Sequence, residues 1–187
     1  MNYKTLFQYK NFTIKIYEDP TYALNSADNL YSYNLVYADS TEYYSNRAIV
    51  IYQQDEDDFT NSAIILNSGF SGTVSYILEK DRLFLLVGDS LYCLELIALN
   101  LLWKLRCDWS ACFRMFRLQD DILVHGEVEI SGVTLGGVKK WVFSGADIFA
   151  SVDGSDKLII NEDTIELTDF SYNYYVLDFN GKVVSEK

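Results

Sequence analysis

Leu91-Tyr92-Cys93-Leu94-Glu95-Leu96 runs through a short polar break into Leu102-Trp103-Lys104-Leu105. The chain then says nearly the same thing again. Ile130-Ser131-Gly132-Val133-Thr134-Leu135 runs through Gly136-Gly137 into Lys140-Trp141-Val142-Phe143. The two tryptophans are 38 residues apart, a period that marks a repeat architecture. Each unit reads as an apolar strand, a tight turn and a returning strand that carries an indole. A weaker round follows. Val133-x-Leu135-x-Gly137 and Leu177-x-Phe179-x-Gly181 superimpose at a spacing of 44, and Asn180-Gly181 between alternating strands is the strongest short hairpin signal. Val184 lies near where this round would place its tryptophan.

Outward from these units the chain keeps the same grammar. Phe12–Tyr17 alternates with period two, as a half-buried strand does, and Asp19-Pro20 ends it. Residues 18–30 read as a loop. Tyr31–Tyr37 and Arg47–Tyr52 are strands around a polar turn that carries Tyr43 and Tyr44. Residues 53–58 form an acidic loop with Asp55, Glu56, Asp57 and Asp58. Asn67–Gly72 is a glycine-containing turn rather than a phosphate cradle, because its glycines open no helix. From Leu83 onward, short apolar strands and turns alternate without pause. Only 94–102 offers a helical alternative. A hairpin is preferred there because the equivalent stretch 133–140 contains Gly136-Gly137.

The total is sixteen to eighteen short strands at the even spacing of an all-β domain. Residues 1–187 read as one domain, with an irregular half over 1–80 and a repeat-bearing half over 81–187. About four four-stranded units fit this length, as a small β-propeller or a meander; a β-sandwich is the alternative. The hairpin Leu-x-Leu-turn-Leu-Trp-Lys resembles the repeat of quinoprotein-like and WD-like β-propellers over residues 83–185. One of three rounds departs from it by lacking the tryptophan, and the N-terminal half does not share it. No residues match a quinoprotein cofactor site, so the resemblance implies no cofactor. Cys107-Asp108-Trp109, His125-Gly126-Glu127, Trp141-x-Phe143-Ser-Gly-Ala-Asp147-Ile-Phe149 and Ile165–Phe170 also resemble segments of small uncharacterised bacterial proteins. That likeness implies a cytoplasmic propeller-like accessory protein of no known activity.

Composition narrows the function. Fifteen Tyr, eleven Phe and three Trp against one Pro favour pleated, half-buried surfaces. A formal net charge of −12 repels polyanions, and the chain has no Lys/Arg cluster of the kind nucleic-acid binding needs. Three cysteines, Cys93, Cys107 and Cys112, form no CxxC pair, which points to a reducing cytoplasm rather than a disulfide framework. The first residues lack the apolar core of a signal peptide, and no apolar run is long enough to span a membrane.

His125 is the only histidine, so any acid–base site must use it, with Glu127 one strand step away and Asp108 or Asp147 from neighbouring rounds. The plainer reading has a strand-end histidine bonded to a carbonyl. Asp108 and Asp147 each follow their round's tryptophan by about five residues. There they either cap turns or gather carboxylates on one face. No metal site is expected, because Cys107, Cys112 and His125 have no finger-like spacing. Trp103 and Trp141 hold repeat positions and read as core. Trp109 breaks the pattern and reads as an exposed binding anchor. Tyr43 and Tyr44 cannot both be buried, since adjacent strand residues face opposite ways. With Asp55 and Asp57 they suggest an acidic, aromatic recognition face. The expected function is a non-enzymatic cytoplasmic module for a protein partner, possible basic partners and toxin neutralisation included. The alternative is a hydrolase or glycan-binding propeller built on His125 and the carboxylates. Oligomeric state is left open.

Overall fold

The computed structural model describes residues 4–54, 58–71, 74–151 and 157–186. Asp55 and Asp57 lie outside the described residues. The described chain is all β, in four sheets. The first contains β1 (Lys4–Tyr9), β2 (Phe12–Tyr17), β3 (Leu35–Ala38), β4 (Ser45–Gln53) and β5 (Phe59–Asn67) in the order β1-β2-β4-β5-β3. β6 (Phe70–Ser71) leads out of it. The second sheet is the meander β7 (Tyr76–Glu79), β8 (Arg82–Val87), β9 (Ser90–Glu95) and β10 (Leu101–Arg106). The third is β11 (Ala111–Leu118), β12 (Asp121–Gly126), β13 (Ile130–Thr134) and β14 (Lys139–Phe143), with β6 added in parallel beside β11. The fourth is β15 (Leu158–Ile160), β16 (Thr164–Thr168), β17 (Tyr174–Asp178) and β18 (Val183–Glu186).

Sequence pattern dictates this stacking. Leu83-Phe84-Leu85-Leu86-Val87 is apolar without a break and wholly buried, because a strand between two neighbouring sheets has no solvent face. One apolar cluster joins sheets one and two, a second joins two and three, and a third joins three and four. Among the described residues no apolar cluster joins sheet one to sheet four. The four sheets stack in a propeller-like series, and the outer face of sheet one is covered by its own chain, Tyr17, Tyr22, Leu24, Tyr33 and Tyr43 packing on Ala48, Ile64 and Leu66. Residues 94–102 form the end of β9, a turn and the start of β10, with no helix.

The N-terminal half contains a five-stranded sheet together with the strandless stretch 18–34. Its two-residue turn Lys10-Asn11 matches Lys80-Asp81 and Gln119-Asp120, whose first residues all take left-handed φ values of 53°, 56° and 51°. Polar residues tolerate that region best after glycine.

Each sheet clasps the next. Trp103 and Trp141 are half-buried between sheets rather than in the core of their own. A Cβ on Gly137 would lie 2.6 Å from Trp103 Cδ2, and one on Gly181 would lie 2.4 Å from Trp141 Cδ2. The indole of one sheet thus rests on the glycine turn of the next. Trp141 Nε1 also donates to the Phe179 carbonyl at 3.1 Å. Between sheets one and two the same clasp is made by Tyr37. Its hydroxyl donates to the Leu99 carbonyl at 2.9 Å and accepts from Leu101 N–H at 3.0 Å.

Candidate functional site

Strand direction sorts the turns onto two rims. Each meander places its second turn and its exit connector on the same side, so residues 88–89, 107–110, 127–129, 144–151 and 169–173 share one rim with Tyr43, Tyr44 and Phe70. The described candidate residues all fall at this rim. The opposite rim carries polar turns such as Lys10-Asn11, Lys80-Asp81 and Gln119-Asp120.

Asp108 is buried and works as a clamp. One oxygen accepts from the backbone N–H of Ser110 at 2.7 Å and Ala111 at 3.3 Å. The other accepts from Val128 and Glu129, both at 2.8 Å. It thereby ties the connector after β10 to the turn after β12. Glu127 accepts from the Ser110 hydroxyl at the same junction. Asp147 holds the corresponding place one sheet later. It accepts from Ile148 N–H at 2.8 Å and from the Ser171 hydroxyl, and its own N–H donates to Asp169 at 3.2 Å. Burial pushes the Asp169 carboxyl up. The donors on Asn173, Tyr175 and Asp147 outweigh that and hold it below the usual carboxylate range. His125 is buried beside these junctions. Its Nε2 lies 3.2 Å from the Phe149 carbonyl, and its ring meets Phe113 edge-on at 5.4 Å. Among the described residues no group of three or more His, Cys, Asp or Glu side chains is arranged to hold a metal.

The aromatic candidates separate cleanly. Tyr43 is half-buried, its hydroxyl donating to the Tyr22 carbonyl at 2.6 Å. Tyr44 is exposed and stacks on Phe70, with centroids 5.1 Å apart and planes at 21°. The two rings edge a groove of about 340 Å³ lined by Glu18, Pro20, Tyr22 and Tyr43. Arg47, itself fully buried, fixes the acidic wall through a 2.6 Å ion pair to Glu18. Trp109 lies under the Arg106 guanidinium, 4.9 Å from its centroid, and its Nε1 donates to Glu129 at 3.1 Å. Arg106 is in turn paired with Asp89 at 2.8 Å and Glu129 with Lys139 at 3.2 Å. Tyr172 has the Lys157 ammonium 4.9 Å from its ring centroid. Exposure is 66% for Tyr44, 64% for Phe70, 70% for Trp109 and 74% for Tyr172. Sequence reading missed Phe70 and Tyr172. Phe70 sat in a segment read only as a turn, although Gly69 beside it marks a close backbone approach.

Cys93, Cys107 and Cys112 are all free and buried. Burial pushes Cys93 up to about 11 and Cys107 up to about 12, and raises Cys112 further above the thiol range. Since the thiolate is the reactive form, folded protein at pH 7.5 is expected to resist thiol-directed reagents. Three labels per chain should appear only on unfolding; rapid labelling of the folded chain would contradict this burial.

No family model and no curated protein matches the chain. Solved structures do. BamB from Moraxella catarrhalis overlays with a TM-score of 0.53 at 15% identity, over 75% of this chain and 43% of that one. The computationally designed protein Ika8 overlays with a TM-score of 0.50 at 9% identity, over 98% of this chain and 48% of that one. The chain thus spans less than half the length of either structure. Both are propeller-like, and at these identities the likeness shows the fold alone.

Proposed function

We propose that this chain is a non-enzymatic binding module that engages a protein partner through the aromatic rim. The observation that carries this is the set Tyr44, Phe70, Trp109 and Tyr172. All four are exposed on one rim, and each is backed by another ring or by a cation. Rings held in place before contact lose little freedom on binding, and Trp and Tyr are the residue types that dominate interface energies. The net charge of −12 favours a basic partner and a salt-sensitive association rate. Neutralising a basic toxin is one form such a role would take. Three buried free thiols suit a reducing cytoplasm.

The test is capture of a partner by the immobilised chain at low and high salt, with identification by mass spectrometry. Purified partner is then titrated against Trp109→Ser and against a Tyr44→Ser/Phe70→Ser double variant. Affinity is expected to fall by about tenfold or more for each, with unchanged thermal melts and weaker capture at high salt. Full affinity in both variants would overturn the reading.

A further inference from the structure

The rim treats its exposed aromatics unequally. Trp109 lies under the Arg106 guanidinium, 4.9 Å from its ring centroid, and the Asp89 carboxylate holds that guanidinium at 2.8 Å. Tyr172 has the Lys157 ammonium at 4.9 Å. Tyr44 and Phe70 have only each other. Among the described residues no Lys or Arg lines the groove beside them, whereas Glu18 does. The ring and the carboxylate of the Arg106 site are thus repeated here without a cation from the same chain.

The groove is built before any guest arrives. Tyr44 N–H donates to the Asn67 carbonyl at 3.0 Å, and the Ser45 hydroxyl donates to the Gly69 carbonyl. Asn46 is spent on both backbone groups of Asp19, at 2.8 and 3.0 Å. The Tyr43 hydroxyl is spent on the Tyr22 carbonyl. Glu18 Oε1 accepts from Arg47 Nη1, which is buried. Two acceptors of the lining make no hydrogen bond among the described residues: the second Glu18 oxygen and the Tyr22 hydroxyl. The Glu18 side chain keeps 31% of its exposure, so solvent and solutes reach it.

Charge selects the guest. From Ile16 to Glu79, Arg47 is the only Lys or Arg, against ten Asp and Glu. The field over this stretch draws cations and repels anions. Among cations a guanidinium suits the groove best. It is planar and weakly hydrated, stacks on a ring face and donates from its edge to a carboxylate. Arg106, set between Trp109 and Asp89, already does this elsewhere on the same rim.

We propose that the Tyr44–Phe70 groove takes an arginine side chain presented by a protein partner, its guanidinium stacked on the aromatic pair and donating to the second Glu18 oxygen. This rests on the rim being a protein-binding surface, and it names the side chain that the surface reads.

The probe is acetyl-Gly-Arg-Gly-amide, titrated into isotope-labelled chain and followed by NMR. Two companion peptides carry lysine or citrulline in place of arginine; citrulline keeps the shape and loses the charge. The arginine peptide is expected to give saturable shifts at Tyr44, Ser45 and Phe70, weakened by salt. The lysine peptide should bind at least about threefold more weakly, and the citrulline peptide at least about tenfold. Tyr44→Ser/Phe70→Ser and Glu18→Gln should each weaken the arginine peptide at least about fivefold. Glutamine at position 18 still accepts from Arg47, and a thermal melt checks that this variant is folded. Should it unfold, the double variant decides, because both of its side chains are exposed. No saturable shift with the arginine peptide, equal binding of either companion, or full binding by the double variant would overturn the proposal. A peptide that fails while partner capture still depends on Trp109 overturns this inference and leaves the binding role standing. Failed capture with a peptide that binds does the reverse.

Discussion

Replacing Gly181 with alanine is expected to destabilise the fold by about 3 kcal/mol, read as a fall in the urea midpoint at constant slope. Two costs add. Gly181 has φ +77°, a left-handed backbone that costs an ordinary residue about 1 kcal/mol. The new Cβ would also lie 2.4 Å from Trp141 Cδ2 and 2.5 Å from Cε3, and overpacking of this kind costs about 1–3 kcal/mol. The indole cannot step back. Its Nε1 is bonded to the Phe179 carbonyl, and on its own sheet it faces Gly132, where a Cβ would come within 2.3 Å of Nε1. Trp141 is therefore held between two glycines. In a Trp141→Ala background the steric cost disappears and Gly181→Ala should retain only the backbone cost, a coupling of about 2 kcal/mol in a double-mutant cycle. Gly136→Ala is the control. Its nearest contact is 3.6 Å away, and the change should stay within about 0.5 kcal/mol. Equal effects at Gly136 and Gly181 would remove the clasp from the account of inter-sheet packing.

That clasp also shows which parts of the fold were legible in the sequence. Trp103, Trp141, Gly137 and Gly181 repeat as residue types, so the period was visible. Tyr37 performs the same task between the first two sheets, but with a phenol instead of an indole, and it meets a turn where Leu99 takes φ +59° in place of glycine. A change of residue type at both partners erased the signal and made the N-terminal half look irregular. The contrast between Leu83–Val87 and Thr164-Ile165-Glu166-Leu167-Thr168 was there to be read as well. A continuous apolar run belongs to a strand covered on both faces, and strict alternation to one covered on a single face. By the same rule Ala48–Ile51 and Ala63–Leu66 are covered on both faces, on the outer one by Tyr17, Tyr22, Leu24, Tyr33 and Tyr43 of the same chain.

The candidate site divides along the same line. Trp109 announced itself by breaking the repeat, and adjacency alone separated Tyr43 from Tyr44. What local pattern cannot supply is the third dimension of a turn. Asp108 and Asp147 occupy corresponding connectors, yet one gathers four backbone amides and the other exchanges bonds with Asp169 and Ser171. Phe70 reaches the rim only because β6 crosses to pair beside β11, a non-local event with no trace in neighbouring residues.

Asp108 carries the second large effect. Asp108→Ala is expected to destabilise the protein by about 3–4 kcal/mol, because a buried carboxylate accepting amide hydrogen bonds leaves each donor to seek water when it is removed. The space is tight as well: a Cβ on Gly126 would lie 2.2 Å from Asp108 Oδ2, so no larger side chain can take over. Asp108→Asn keeps one oxygen and presents an NH2 group to the other pair of donors, for an expected loss of about 2 kcal/mol. Hydrogen exchange gives the decisive detail. Ser110, Ala111, Val128 and Glu129 should exchange faster in Asp108→Ala, while amides in sheet one stay protected. The same substitution frees the connector that bears Trp109 from the turn that bears its partner Glu129. Affinity for the partner proposed above should therefore fall in step with the local exchange rates, although Asp108 itself is buried. A variant that loses less than about 1 kcal/mol, with those four amides unchanged, would show that the connector keeps its shape by sheet packing alone.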